Sequence, residues 1–214
     1  MAAPPTPNEE KLPSKWAVVV AGRWNRAILT PHGIATRLFE QTPDVIEVRV
    51  PMDSVAPPAV ALRQMTVIVS EDRLVIQPDE NDYEQLAAAA RHASQALVSL
   101  PETPCTAATF NIKVAPSEAQ RTALSKLFNT HLDAQLKDAG YPIALQALQR
   151  RVEWEGGAVL VQVRNIPSNA MGVLFSFEKR SEDVAQLKDW LGTDVKRIGD
   201  VVSALMAILT RSVP

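Results

Sequence analysis

Residues that mark a reactive site in a linear sequence are scarce in this chain. Its 214 residues include one cysteine, Cys105, and three histidines, His32, His92 and His131. A single thiol excludes an intrachain disulfide, so a reducing compartment is the simpler setting. No histidine has another histidine, a cysteine or a carboxylate three or four residues away, the spacing at which a helix presents two metal ligands. Glycine occurs eight times. Val18-Val19-Val20-Ala21-Gly22 leads into Arg23-Trp24-Asn25 without the further glycines and the Lys-Ser or Lys-Thr of a phosphate cradle. Charge of one sign is missing as well, since 22 Lys and Arg against 24 Asp and Glu leave a net charge of −2. That balance gives no general attraction to phosphate backbones or anionic lipid. No apolar run approaches the roughly 18 to 20 residues of a membrane span, and the first residues lack a basic segment followed by an apolar one. The expectation is a soluble, unexported, cytoplasmic protein.

Alternation is what the chain has in quantity. From Leu145 to Glu178, apolar residues return at every second position: Leu148, Val152 and Trp154, then Val159, Val161 and Val163, then Met171, Val173, Phe175 and Phe177. Arg150 interrupts the first run, and Glu155-Gly156-Gly157 separates it from the second. A period of two predicts a meander with one mostly apolar face per strand. Arg151, Glu153, Glu155, Gln162, Arg164, Ser176 and Glu178 fall on the opposite, solvated face.

Elsewhere the signals alternate between strand and helix. Trp16 to Val20 reads as a buried strand, and Thr30-Pro31 opens a helix with Ile34, Ala35, Leu38 and Phe39 on its inner stripe. Val45 to Val50 alternates as a half-buried strand with Ile46, Val48 and Val50 inward. Pro51, Pro57 and Pro58 mark a loop before a hairpin of Met65–Val69 and Leu74–Ile76. Asp82 with Gln85 opens a helix to about Ser99, whose alanines suit close approach to a sheet. Thr106 to Val114 alternates as another strand. Ser117 with Gln120 forms a capping box for one helix running to about Asp138, closed by Gly140, with Leu124, Leu127, Phe128, His131, Leu132 and Leu136 inward. Ser181 opens a short helix containing Leu187 and Trp190, and the last helix carries the stripe Ile198, Val202, Leu205, Met206 and Leu209.

The fold class that follows is α+β: antiparallel β-meanders with helices packed on one face. Residues 1–14, with Pro4, Pro5, Pro7 and Pro13, form a disordered or extended arm; residues 15–115 form an N-terminal subdomain and residues 116–214 a C-terminal one, the two sharing or abutting one core. Each half has a meander followed by a helix, without a residue-level repeat. Regular βαβ alternation is missing, which disfavours a nucleotide-binding doubly wound sheet.

Candidate chemistry has a plain structural reading at each place. Asp79, Glu80, Asp82 and Glu84 stand where a helix N-terminus favours carboxylates, outside any calcium-loop frame. Cys105 heads a strand, where a thiol fills space. Lys15, Trp16, Arg23, Trp24 and Arg26 make the one basic and aromatic concentration, with Arg23, Trp24 and Arg26 the residues most suited to contact a partner. Ile198, Val202, Leu205, Met206 and Leu209 face either the core or a second copy of the chain. The segments Glu71-Asp72-Arg73-Leu74 and Tyr83-Glu84-Gln85-Leu86 resemble patterns in uncharacterised bacterial proteins, and the resemblance implies no activity.

No catalytic, metal or cofactor set emerges. The function expected is a non-enzymatic cytosolic protein-interaction module, an adaptor, inhibitor or assembly subunit that forms homo-oligomers and works through sheet edges, the terminal helix and the Trp24 loop. One alternative is a hydrolase or nucleic-acid-processing enzyme whose site assembles His32, His92 or His131 with Asp or Glu. Another is a nucleic-acid binder that uses the Arg23–Arg26 loop.

Overall fold

The computed structural model describes residues 15–42, 46–50, 57–128, 130–166 and 171–211. The N-terminal arm at 1–14 and the start of the expected strand at Val45 lie outside the described residues. Among the described residues, nine strands form one antiparallel sheet: β1 (Ala17–Gly22), β2 (Glu47–Arg49), β3 (Ala59–Leu62), β4 (Met65–Val69), β5 (Arg73–Pro78), β6 (Cys105–Val114), β7 (Gln146–Trp154), β8 (Gly157–Asn165) and β9 (Gly172–Arg180). Their spatial order is β2-β3-β4-β5-β1-β6-β9-β8-β7. Read outward from the central β1–β6 pair, each half of the sheet places its last-formed strand next to the middle and its earlier meander strands toward the edge.

The helices are α1 (Pro31–Leu38), α2 (Tyr83–Ser99), α3 (Glu118–Ser125), α4 (His131–Asp138), α5 (Val184–Leu191) and α6 (Val195–Thr210). All but α4 bury side chains against one face of the sheet. Along the central strands, Val18, Val20, Leu74, Ile76, Phe110, Ile112, Phe175 and Phe177 point to that side and are fully buried in one apolar cluster with the helices. α2 lies on β5 and β1, α5 on β6 and β9, and α1 over β3. The alanine stripe of α2, with Ala89, Ala90, Ala93 and Ala96 all buried, lets its backbone come close to the sheet. Burying each large side chain of this layer contributes about 1.5–3 kcal/mol. Among the described residues, no helix is long and apolar enough to cross a membrane.

Local rules account for most boundaries. Thr30 accepts a hydrogen bond from the Gly33 amide at 3.1 Å, with Pro31 in the first turn. Asp82 accepts from the Gln85 amide at 2.8 Å, and Ser117 and Gln120 bond reciprocally. Gly140 has a left-handed φ of +82°.

Four expectations are corrected. Ala59–Leu62, assigned to a loop by its flanking prolines, is a strand that turns into β4 through Arg63 and Gln64, both at positive φ. Neither residue is a usual choice for that turn, which hid it. β2 is an exposed edge strand, not a half-buried one, with no buried residue. The single helix expected over 117–138 is broken: Lys126–Phe128 tightens into a 3₁₀ turn, and Thr130 with Asp133 forms a second capping box that starts α4. His131 and Leu132 are therefore exposed, while Leu124 and Phe128 are buried. α5 starts from Asp183, which caps the Ala185 amide at 2.9 Å, two residues after the expected Ser181.

Candidate functional site

The face turned away from the helices carries the alternate residue of every strand. Toward the β7 edge, those residues are polar and line a shallow trough of about 610 Å³ formed by Thr109, Gln149, Arg151, Ser176, Glu178 and Arg180, with Leu160 on its floor. Register explains why they meet. Thr109 of β6 faces Glu178 of β9, Ser176 faces Leu160 of β8, and Leu160 faces Arg151 of β7. Ala158 lies between Glu153 and Glu178 in register and is small and buried. Arg151 thus reaches across β8 to a strand it does not pair with.

Glu178 organises the trough. Arg180 Nε donates to its Oε1 at 2.6 Å and Arg151 donates to its Oε2 at 2.9 Å. Burial works to raise the Glu178 pKa; the hydrogen bonds from Arg180 and Arg151, with their positive charge, outweigh it and hold the carboxyl below its ordinary value. A carboxylate held ionised between two guanidinium groups is a poor proton donor and a feeble base. The arginines keep outward-facing donors, Arg180 most of all, with 73% of its side chain exposed. Ser176 donates to Asn111 Oδ1 at 2.7 Å, so its hydroxyl proton is engaged. The set offers directional recognition of an anionic group, with two cations to one anion, and no activated nucleophile.

A second concavity of about 350 Å³ lies on the helix side near the β2 edge, where Leu29, Ile34, Val48, Val60 and Val69 form apolar walls beside Arg26. The loop leading to it is held firmly. Trp24 is 3% exposed, and its indole N–H donates to the Val20 carbonyl at 3.0 Å. Its backbone amide donates to the Glu71 carbonyl, and that of Arg23 to the Pro104 carbonyl. Trp24 therefore pins the loop into the core, while Arg23 and Arg26 beside it are exposed.

The terminal stripe also turns inward: Ile198, Val202 and Met206 are buried, and Leu205 and Leu209 are half-buried against the same cluster. Gly199 carries the close approach to the Tyr83 ring.

The histidines stand on separate helices, and no two share a hydrogen bond or a ring contact. His92 stacks on Phe39 at 4.1 Å, and its Nδ1 donates to the Leu38 carbonyl at 2.9 Å. A carbonyl only accepts, which fixes the neutral ring with its proton on Nδ1. Burial depresses the His92 pKa more than that bond raises it. His32 and His131 are exposed. Among the described residues, no three His, Cys, Asp or Glu side chains gather as a metal ion requires. Cys105 is buried, and burial pushes its thiol up to about 11, well away from thiolate chemistry at neutral pH.

No family model matches the chain, and no curated protein matches it.

Of the trough residues, Arg151, Ser176 and Glu178 stand out in the sequence as polar positions of the meander, whereas Thr109, Gln149 and Arg180 do not, and nothing in the linear order pairs Arg151 with Glu178. Their meeting requires the β7-β8-β9 register, which places residues 27 apart within hydrogen-bond reach.

Proposed function

We propose that this chain is a non-enzymatic protein-interaction module of the cytoplasm, an adaptor, inhibitor or assembly subunit that docks a carboxylate-bearing segment of a protein partner in the trough over β6, β9, β8 and β7. The observation that carries this reading is the Arg151–Glu178–Arg180 cluster on a sheet face without helix cover. Its carboxylate is neutralised by geometry, its guanidinium groups retain donors toward solvent, and its floor is a broad strand surface instead of a cleft. Such a surface suits a partner that lies along or across the strands, with arginine as the anchoring residue.

The test is quantitative affinity capture from a native extract, comparing the wild-type chain with Arg180→Ala and with Ser176→Arg, which fills the trough. Both variants should retain the wild-type circular dichroism spectrum and lose the same captured proteins by tenfold or so, about 1.4 kcal/mol. Identical capture by all three chains would overturn the assignment. Salt-sensitive oligonucleotide binding that disappears with Arg23→Ala and Arg26→Ala would instead favour a nucleic-acid reading.

A further inference from the structure

We propose that β7 pairs with β7 of a second copy of this chain, antiparallel and about a twofold axis through Val152, so that one sheet continues into the next. This deepens the interaction reading above by naming one partner and one edge.

β7 is the last strand of the sheet and runs for nine residues. Among the described residues, its only strand partner is β8. The hairpin determines which of its backbone groups point away from β8. Trp154 pairs with Gly157 across Glu155 and Gly156, whose φ values are 47° and 71°. Two successive positive φ values make the two-residue turn whose closing pair exchanges both hydrogen bonds. Trp154, Val152, Arg150 and Leu148 therefore direct their amide groups to β8, while Glu153, Arg151, Gln149 and Ala147 direct theirs to the open edge.

Long unpaired edges are commonly protected by charge. Here the charges also encode a register. A twofold axis normal to the sheet keeps both helix layers on the same side, and it must pass through a residue, because directly opposed residues share a face. An axis through Arg150 or Arg151 sets an arginine against itself, and one through Glu153 sets a glutamate against itself. Axes through Leu148 or Gln149 bring no opposite charges together. The axis through Val152 places Arg151 opposite Glu153 of the second copy, twice, and does so between the residues whose amides face the open edge. It also sets Val152 against its own mate as a non-hydrogen-bonded pair, where side chains approach most closely, and Arg150 across from Trp154. Val152 is 39% exposed in the single chain. Glu153 has no ion partner among the described residues, and Arg151 would bridge it to Glu178.

The full-length chain should sediment as a dimer, and the backbone amides of Arg151 and Glu153 should exchange more slowly with deuterium as protein concentration rises. Glu153→Arg and Arg151→Glu each oppose like charges twice and should weaken the dimer at least about tenfold. Mixing these two variants should restore a dimer, now mixed, because every arginine then meets a glutamate. A wild-type monomer at every concentration, edge amides indifferent to concentration, or a dimer unaffected by either substitution would overturn the pairing. A monomer that still captures proteins through Arg180 would sink the edge pairing and leave trough docking standing; a dimer that captures nothing would do the reverse.

Discussion

On the N-terminal side of the β1–β6 pair, one helix of 17 residues, α2, lies directly on the sheet. On the C-terminal side the cover is divided between α5, 8 residues long, and α6, which packs on α2 and α3. The side chains reflect this. α2 approaches through alanines, whereas α5 brings Trp190, which sits edge-on to Trp154 at 5.4 Å. The helices between the first two strands of each side differ in the same sense: α1 buries Gly33, Ile34, Ala35 and Leu38, while α3 buries only Leu124 and α4 nothing. Similar strand order on the two sides thus carries unequal cover, and the side with less cover ends in the longer free strand.

Core truncations test this contrast most strongly. Phe110→Ala and Phe175→Ala, one on each of two neighbouring central strands, should each cost about 3–5 kcal/mol in chemical denaturation. Leu86→Ala in α2 should cost about 2–5 kcal/mol, whereas Leu132→Ala in α4 should stay within about 0.5 kcal/mol. A comparable loss at Leu132 would mean that α4 is packed after all and would erase the difference between the halves.

Next in size is Gly157→Ala. A Cβ there would lie 2.6 Å from the Glu178 carbonyl oxygen and 2.7 Å from the Trp190 ring, so the bulky C-terminal cover depends on a glycine in the sheet. Overpacking of this kind costs about 1–3 kcal/mol. Tryptophan fluorescence should shift as Trp190 moves, and an unchanged melting curve would show that α5 is held more loosely than its burial implies.

The smallest effects concern pH. His92, on the N-terminal side, and Glu178, on the C-terminal side, both have depressed folded-state pKa values, the first through burial and the second through its arginines after burial has opposed them. Each contributes stability that is present above its unfolded-state pKa and lost as pH falls through the folded value. The His92 contribution should therefore disappear first on acidification and that of Glu178 at lower pH. Stability measured against pH should lose the upper part of its acid limb with His92→Asn and the lower part with Glu178→Gln. If both variants altered the same region, one of the two assignments would be wrong.

Much of the helical layer was legible because capping is local. Thr30, Asp82 and Ser117 announce their helices within a few residues, and the alternation of β8 and β9 fixes which side is buried. What escaped depended on partners distant in sequence or on unusual local residues. β3 is hidden because Arg63 and Gln64 make a turn normally left to Asn and Gly. The break before α4 is hidden because the apolar spacing of Leu127, Leu132 and Leu136 continues across it, although Thr130 and Asp133 do carry a capping signal. Trp24 looked like an exposed loop aromatic, and only the fold supplies the Val20 carbonyl that takes its indole proton.

The joint between the two halves of the sheet is itself a strand pair, with β1 and β6 in one register from Ala17 opposite Asn111 to Ala21 opposite Ala107 and a shift only at the end, where Gly22 meets Cys105. A hinge at that midline would have to tear a row of interior hydrogen bonds flanked by Val18 and Phe110, so clamshell closure is costly by construction. The sheet is therefore built as a stiff plank: a partner docked in the trough as proposed would meet a surface already in shape, and selectivity would come from the fit of the visitor, not from motion of the host.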